Sequence, residues 1–368
     1  MKLHIGRSCS KILCPDLFVD SWKLVADKSG KTHQKDDFVG QEKMTQKTEQ
    51  MYLGDIISCD GKQDKNIEAR KNKGIGIIAQ IMSMLESTVY GKYYFEVAMV
   101  LRNSLFLSSV LLNSEAWINL SKNNIRKLEQ VDEMLLSKIL DCNSNTSNVV
   151  KYLELGAIPI RYEIIKRRLV FFQYLLKQEK SSMIRKVLDA TIENPSQNDF
   201  VVTCQEYMKV LNIDISFDEI QKMSNWKFKN MVKERVSKSA FEYLMNQKEN
   251  QKKAKSLKYK DLKIQDYLVS GLCNKKAARL IFRARSETLE IKSHRKWKYE
   301  DVLCVGCKKN EETGEEIMNC NVLNEDNKDD YRNVKYDWFY SKETEKIVVA
   351  GRLLQRNLKE REKLIGKL

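Results

Sequence analysis

The feature that most limits how this chain can fold is its shortage of helix breakers. Of its 368 residues, 3 are proline and 14 are glycine. Soluble proteins average about 5% proline and about 7% glycine, and both residues interrupt helices and shape tight turns. The shortage argues against sandwiches or propellers of many short strands, and against collagen-like or Pro/Gly-rich disordered chains. It predicts a mainly α-helical protein.

The composition also predicts the compartment. Nine cysteines are too few for a disulfide scaffold in a chain of this length. The start is interrupted by His4 and Arg7, unlike a signal peptide. The most apolar region, 95–117, contains charged residues and falls short of the ~20 apolar residues that a bilayer requires. We therefore expect a soluble intracellular protein, nuclear or cytoplasmic, with no membrane partner and no small-molecule substrate.

The hydrophobic pattern divides the chain into five segments. Short β-compatible runs and a turn signal at Asp60-Gly61 predict a β-hairpin region in residues 1–62. Apolar residues at helical spacing then predict a helical bundle over 63–180. A polar stretch containing Pro195 marks a boundary before a second helical domain, 196–303. A small Cys knuckle, 304–320, precedes an acidic loop and a C-terminal helix, 321–368.

The net charge of +15 is concentrated in two stretches. Residues Trp226–Lys260 contain 11 basic and 3 acidic residues, and Lys275–Lys298 contain 9 basic and 2 acidic residues. Aromatic residues alternate with the cations in both stretches, which is typical of a phosphate-binding surface. A solvated helix face is the alternative. The candidate phosphate-binding residues are Lys227, Lys229, Lys233, Lys276, Arg279, Arg283 and Arg285.

The second stretch has the pattern of a capped helix. Asn274 can cap its start, and Lys276, Arg279 and Arg283 then project from one side. Arginine at such positions can form paired hydrogen bonds to phosphate oxygens.

A cysteine cluster near the C-terminus predicts a metal site. Cys304 and Cys307 form a CxxC pair, and Cys320 follows. Thiolates at this spacing can hold a tetrahedral zinc ion. The fourth ligand stays open between Glu316 and His294, and a degenerate knuckle that packs without metal is the alternative. The sequence predicts no magnesium site.

Several stretches together resemble the region after the catalytic palm of non-LTR (LINE-type) retrotransposon reverse transcriptases. The resemblance covers nearly the whole chain through the order and spacing of its parts. These parts are Tyr52-Leu53-Gly54-Asp55-Ile56-Ile57-Ser58, Phe95-Glu96-Val97-Ala98, Leu112-Asn113-Ser114-Glu115-Ala116-Trp117, Tyr152-Leu153-Glu154-Leu155-Gly156, Arg167-Arg168-Leu169 and the CxxC with Cys320.

The resemblance implies roles for particular residues. Tyr52, Leu53 and Gly54 correspond to the primer grip at the end of the palm. Residues 63–180 correspond to the thumb, and 304–320 to a degenerate CCHC knuckle whose histidine is replaced by Glu316. By the same resemblance, RNA and DNA are the partners, as template RNA and target DNA. The implied backbone-facing residues are Arg70, Lys73, Arg161, Arg167 and Arg168.

The catalytic carboxylates of the family do not correspond to residues of this chain. Polymerisation needs two metal ions held by palm carboxylates on a strand hairpin. The sequence predicts that its Asp36-Asp37 and Asp329-Asp330 pairs lie outside such hairpins, as solvated charge. We therefore expect a nucleic-acid-binding C-terminal portion that does not polymerise DNA alone. The alternatives are an active reverse transcriptase when joined to an upstream palm, and a helical protein-interaction module derived from such an element.

Overall fold

The computed structural model describes residues 37–39, 42–44, 48–59, 61–88, 93–117, 120–143, 145–196, 199–251, 254, 256–269, 271, 273–294, 296–324 and 333–366. Most of the predicted acidic loop, including Asp329-Asp330, lies outside these residues, as does Asp36. The chain divides into two compact units, Met1–Gly61 and Lys62–Leu368.

Two antiparallel hairpins form the described part of the first unit. Strand β1 (Asp37–Val39) pairs with β2 (Glu42–Met44), and β3 (Glu49–Tyr52) pairs with β4 (Asp55–Ser58). The predicted hairpin is therefore confirmed. Its connection is at Leu53-Gly54, whereas Gly61 forms a later turn by donating its N–H to the Ser58 carbonyl. The prediction that Asp37 lies outside any hairpin is wrong, because Asp37 begins β1.

The tip of the β3–β4 hairpin carries the three residues that resemble a primer grip. Leu53 and Gly54 both have positive φ, 48° and 87°, as a two-residue type I′ turn requires. Leu53 is 75% exposed and Tyr52 is 37% exposed. The turn therefore presents a large apolar side chain to solvent in a conformation that glycine and asparagine adopt more readily.

We expect Leu53→Asn to stabilise this hairpin by about 1 kcal/mol, because asparagine tolerates left-handed backbone that costs leucine roughly 1–2 kcal/mol. Amide hydrogen exchange of Gln50 and Ile57, a hydrogen-bonded pair of the hairpin, should slow accordingly. Leu53→Ala is the control, since alanine loses the apolar side chain but keeps the backbone cost. Equal protection in both variants would contradict the assignment of the strain to backbone conformation.

Helices build the described part of the second unit. The first helices are α1 (Asp64–Thr88), α2 (Tyr94–Leu101), α3 (Leu107–Val110), α4 (Lys122–Leu140), α5 (Asn148–Leu155), α6 (Ile160–Leu176) and α7 (Met183–Glu193). The later helices are α8 (Phe200–Val210), α9 (Phe217–Lys222), α10 (Asn225–Glu249), α11 (Asp266–Val269), α12 (Lys275–Arg285), α13 (Gly314–Asn319) and α14 (Thr344–Ile365). Within the described residues, no helix has the length and apolar character needed to cross a membrane.

Polar caps explain where many of these helices begin. The side chains of Ser121, Ser224 and Asn274 accept hydrogen bonds from backbone N–H groups in the first turns of α4, α10 and α12. Ser216 and Glu219 form a reciprocal capping box at α9. Such caps satisfy N–H groups that have no partner inside the helix. The predicted Asn274 cap is confirmed.

Two hydrophobic clusters fill the second unit. The larger cluster joins α1–α5 with the α11–α14 region, and includes Leu128, Tyr267, Phe282 and Phe339. The smaller cluster lies between α6 and helices α7–α10. Each cluster contains residues from both predicted domains, 63–180 and 196–303, so the two domains do not have separate cores. Apolar helix faces pack against helices that are distant in sequence, and local hydrophobic periodicity does not specify which helices these are.

A buried carboxylate joins α5 to the C-terminal half of this unit. Glu154 accepts hydrogen bonds from Tyr259 and Tyr267 at 2.7 and 2.8 Å, and pairs with Arg285 at 2.9 Å. Its backbone carbonyl accepts from Gln265 N–H at 2.9 Å. At the neighbouring Gly156, φ is 60° and an added Cβ would lie 2.3 Å from the Lys263 backbone carbon. The Glu154–Gly156 segment is thus a docking point for residues 259–267.

A second buried ion pair, Arg102 with Asp132, lies where α2 continues into α3. The connecting Arg102–Phe106 segment is a π-helical turn, a feature often found at functional positions. Arg102 donates to both Asp132 oxygens at 2.7 and 2.6 Å and to the Ile158 carbonyl at 2.9 Å. Burial disfavours the charged guanidinium, but Asp132 outweighs this and raises the pKa of Arg102. The pair fixes the segment that leads into α6.

Candidate nucleic-acid interface and metal centre

A groove lies between α6 and α10. The helices run antiparallel, because Lys177 contacts Asn225 at one end and Arg161 lies over the Tyr243 ring at the other. The groove has a volume of about 660 Å³. A second cavity of about 330 Å³ extends it along the Arg102 segment. Both are lined by Lys166, Arg167 and Lys233, so they are neighbours along α6, and we call the two together the α6–α10 groove.

Four cations line the first cavity of the α6–α10 groove: Lys166, Arg167, Lys229 and Lys233. Lys229 and Lys233 are exposed, and within the described residues neither ammonium has a carboxylate within salt-bridge distance. Arg167 donates to the Leu111 and Leu107 carbonyls at 2.7 and 3.2 Å, which holds it against the end of α3.

Two carboxylates also lie along the groove. Glu163 lines the second cavity and pairs with Lys166 at 2.5 Å, and Glu115 lines the first. The groove therefore keeps a positive excess, carried by Arg167, Lys229 and Lys233.

Aromatic side chains extend the groove beyond the cations. Phe171 and Tyr174 line it with rings nearly parallel, 17° apart in plane and 5.9 Å between centroids. Phe171 also forms a T-shaped contact with Phe200, with 6.0 Å between ring centroids, while Tyr174 is 55% exposed. Trp226, 76% exposed, stands one turn before Lys229 on the same side of α10. The groove thus combines unpaired ammonium groups with exposed aromatic faces.

Helix α12, the predicted basic helix, is instead occupied by protein contacts. Arg279 donates to the Ile139 carbonyl and the Tyr94 hydroxyl at 2.9 and 2.8 Å. Arg283 donates to the Asp141 carbonyl and carboxylate, both at 2.7 Å. The two guanidinium groups satisfy the C-terminal end of α4, where cations are favoured.

The rest of α12 offers little to a phosphate. Arg285 is buried against Glu154, which corrects its prediction as a surface residue. Among the predicted α12 residues, Lys276 is exposed.

The other predicted backbone-facing residues separate into two sets. Arg70 and Arg168 are buried, which corrects their prediction as surface groups: Arg70 donates to the Ser109 carbonyl, and Arg168 lies over the Phe200 ring. Arg161 forms a two-point pair with Glu129 at 2.7 and 2.9 Å. Lys73 and Lys227 are exposed but do not line the groove. Of the predicted nucleic-acid-binding residues, the groove brings together Arg167, Lys229 and Lys233.

The predicted cysteine cluster forms a compact ligand set. The ligand atoms of Cys304, Cys307, Glu316 and Cys320 all lie within 4.8 Å of one another. Zinc–sulfur bonds of about 2.3 Å in a tetrahedron place the sulfur atoms ~3.8 Å apart, so small side-chain movements would suffice. The fourth position is taken by Glu316, not by His294, whose Nδ1 contacts the Leu289 carbonyl at 3.2 Å. The four residues can hold a metal ion.

The local fold orients these ligands. The side chain of Thr313 caps α13, which places Glu316 in its first turn, and Cys320 follows the end of the helix. Glu316 accepts from the Cys307 thiol at 3.2 Å and from Asn310 at 2.9 Å. Gly306 lies so close that an added Cβ would be 3.0 Å from the Cys320 sulfur. The pKa of Cys304 is raised to about 12, because burial outweighs the hydrogen bonds from the backbone N–H groups of Cys307 and Gly306, which favour the thiolate.

The knuckle is tied to the C-terminal helix. The fully buried Glu312 accepts from Arg361 of α14 at 2.7 Å and from the Lys292 N–H at 3.0 Å. Asn357, also on α14, donates to the Ile317 carbonyl at 2.8 Å. The four candidate metal ligands therefore lie in a segment that packs into the larger hydrophobic cluster.

Sequence reasoning missed Lys166, Phe171 and Tyr174 as groove residues. All three lie on one side of α6 with Arg167 and Val170. Their spacing gives this helix a polar and aromatic face in addition to its buried apolar one. That second face is the signal by which they could have been found.

Comparison of the chain with protein-family profiles, with curated proteins and with solved structures yields no match. The function is therefore argued from the groove and the cysteine cluster, and the resemblance to reverse transcriptases stays an expectation.

Proposed function

We propose that this chain binds RNA or DNA through phosphate contacts along the α6–α10 groove. The observation that carries the proposal is that Lys229 and Lys233 are exposed and line the groove. Arg167, whose guanidinium donates to the Leu111 and Leu107 carbonyls, adds positive charge beside them. Nucleic-acid backbones are bound mainly by lysine and arginine, with release of counterions. The net charge of +15 adds a long-range attraction for a polyanion.

The expected context is the C-terminal portion of a retrotransposon RNA-directed DNA polymerase, which clamps template RNA or target DNA while a separate palm carries the chemistry. The resemblance of the sequence to non-LTR elements supports this context. The proposal assigns binding, and no reaction, to the groove. A helical protein-interaction module with acidic partners is the rival function.

We further propose that the cysteine cluster holds zinc. Three sulfur atoms and one carboxylate suit Zn²⁺, which prefers tetrahedral sites with soft ligands. The ion would be structural, because all four positions are filled by the protein. It would fix the loop of Cys304 and Cys307 to α13, and through Glu312 to α14.

Replacing the two unpaired lysines tests the binding function. In Lys229→Gln/Lys233→Gln, we expect nucleic-acid affinity to fall on the order of tenfold. The slope of log affinity against log salt should become shallower by about 1 for each lysine, because each lost phosphate contact releases fewer counterions. Fluorescence anisotropy with a labelled RNA at several salt concentrations measures both quantities.

The matched control is Lys227→Gln/Lys238→Gln, which removes the same charge from exposed positions on α10 outside the groove. It should keep most of the affinity. Equal losses in the two double variants would show that net charge, and not the groove, determines binding. Competition by polyglutamate as effective as that by RNA would favour the rival function.

A further inference from the structure

We propose that the α6–α10 groove selects single-stranded nucleic acid, with unpaired bases stacked on Tyr174 and Trp226. This inference rests on the proposed function, because it takes the phosphate contacts of the groove as given. It adds the class of strand, which the cations alone do not determine, since both single strands and duplexes carry phosphates.

The aromatic side chains carry the inference. Exposed tyrosine and tryptophan rings are costly to leave in water, and 55% of Tyr174 and 76% of Trp226 remain accessible. The rings of Phe171 and Tyr174 are nearly parallel and in contact, and Phe171 in turn contacts Phe200 in a T-shaped arrangement. The Tyr174 ring is therefore supported on the protein side, with much of its surface left to solvent. Supported aromatic faces next to cations are the platform on which single-stranded binders stack bases.

The position of the rings relative to the cations fits one strand. Along α6, Tyr174 lies two turns beyond Lys166, about 12 Å at 1.5 Å per residue. Along α10, Trp226 lies two turns before Lys233, about 10 Å away. Phosphates could contact the lysines while the bases of about three nucleotides reach the rings. Asn230, which lines the groove between Lys229 and Lys233, offers an amide that can hydrogen-bond base edges.

A duplex lacks free base faces for these rings. Its bases are stacked and paired, so exposing one costs a few kcal/mol. Duplex readers also insert a convex helix into a DNA groove, whereas the α6–α10 groove is concave. We therefore expect a duplex to reach the outer lysines only and to bind more weakly than a single strand.

The test uses the full chain, a labelled 12-nucleotide oligo(U) and a 12-base-pair duplex. For Tyr174→Leu, the affinity for oligo(U) should fall about 5- to 160-fold, the range expected for the loss of one base–aromatic stack. The salt dependence should stay unchanged, because no cation is removed. Tyr174→Phe should keep the affinity, and duplex binding should not change in either variant.

Tyr93→Leu is the control for loss of an exposed aromatic outside the groove, since Tyr93 is 57% exposed. If parent and Tyr174→Leu bind oligo(U) equally, or if the parent binds the duplex as tightly as oligo(U), the inference is overturned. In either case the salt-dependent binding that requires Lys229 and Lys233 would still hold. If the parent binds neither probe, the proposed function itself fails.

Discussion

Glu154→Gln is expected to lower the free energy of unfolding by about 3–5 kcal/mol, the cost of leaving one member of a buried ion pair without its partner. The substitution keeps the size of the side chain but removes its charge. Arg285 is buried and has its guanidinium against Glu154 at 2.9 Å. Its remaining contacts, to the Phe339 carbonyl and over the Tyr267 ring, carry no full negative charge.

Tyr259 and Tyr267 increase the loss of stability expected for Glu154→Gln. Burial raises the pKa of Tyr259 and Tyr267 well above the ordinary value, and Glu154 raises it further. Both hydroxyls therefore stay protonated and donate to the carboxylate. Glutamine offers one carbonyl oxygen in place of two carboxylate oxygens, so it cannot accept all the hydrogen bonds that Glu154 accepts.

Urea denaturation followed by circular dichroism measures the loss. The matched control, Glu206→Gln, removes an exposed carboxylate on α8 and should change stability by no more than about 0.5 kcal/mol. A double-mutant cycle with Arg285→Met then isolates the pair, and the two substitutions should be coupled by more than about 1 kcal/mol. Additive effects would mean that Arg285 does not depend on Glu154.

The helices that the sequence predicted well are those whose pattern is local. Ile125, Leu128 and Val131 recur at helical spacing, and the structure places them on α4. Asn274 lies directly before an amphipathic run, and it caps α12. In both cases residues within one or two turns contain the information.

The residues that were misplaced depend on contacts between distant parts of the chain. Arg279 and Arg283 have the spacing of a basic surface, but the carbonyls they bind are about 140 residues earlier. Arg168 belongs to a basic run, yet Phe200 packs against it. Charge and helical periodicity identify a face, and they do not identify the element that covers it.

The candidate site residues show the same distinction between those that a local sequence pattern identifies and those that depend on distant contacts. Lys229 and Lys233 were found because charge density is visible in the sequence. Tyr174 was missed because an aromatic residue in a helix is usually buried, and its exposure depends on how α6 meets α10. The cysteine ligands follow from the CxxC spacing. The choice of Glu316 over His294 requires the position of α13, which starts at the Thr313 cap.

Removal of metal from the cysteine cluster is the second large effect that we expect. Zinc at a concentration 1,000-fold above its dissociation constant stabilises the folded state by about 4 kcal/mol. For a chain of this size, that corresponds to a rise in melting temperature on the order of 5 °C. Addition of a chelator should reverse the rise. Metal removal should destabilise more than residues 304–320, because Cys304, Ile317 and Cys320 belong to the larger hydrophobic cluster.

The variants separate this site from any other zinc bound by the chain. Cys304→Ser should lose one zinc per chain and most of the thermal shift, whereas Cys59→Ser, which removes an exposed thiol elsewhere, should lose neither. Elemental analysis of dialysed protein gives the stoichiometry. Zinc content unchanged by Cys304→Ser would place the ion outside this cluster.

Glu316 gives the sharpest test of the ligand set. Three thiolates and a carboxylate around Zn²⁺ leave a net charge of about −2, whereas histidine in place of the carboxylate leaves about −1. The less charged site needs less compensation in a partly buried position, because uncompensated charge is costly there. We expect Glu316→His to retain zinc at least as tightly as the parent, and Glu316→Ala to bind it at least tenfold more weakly. Equal affinity of the parent and Glu316→Ala would mean that the three cysteines hold the ion without the carboxylate.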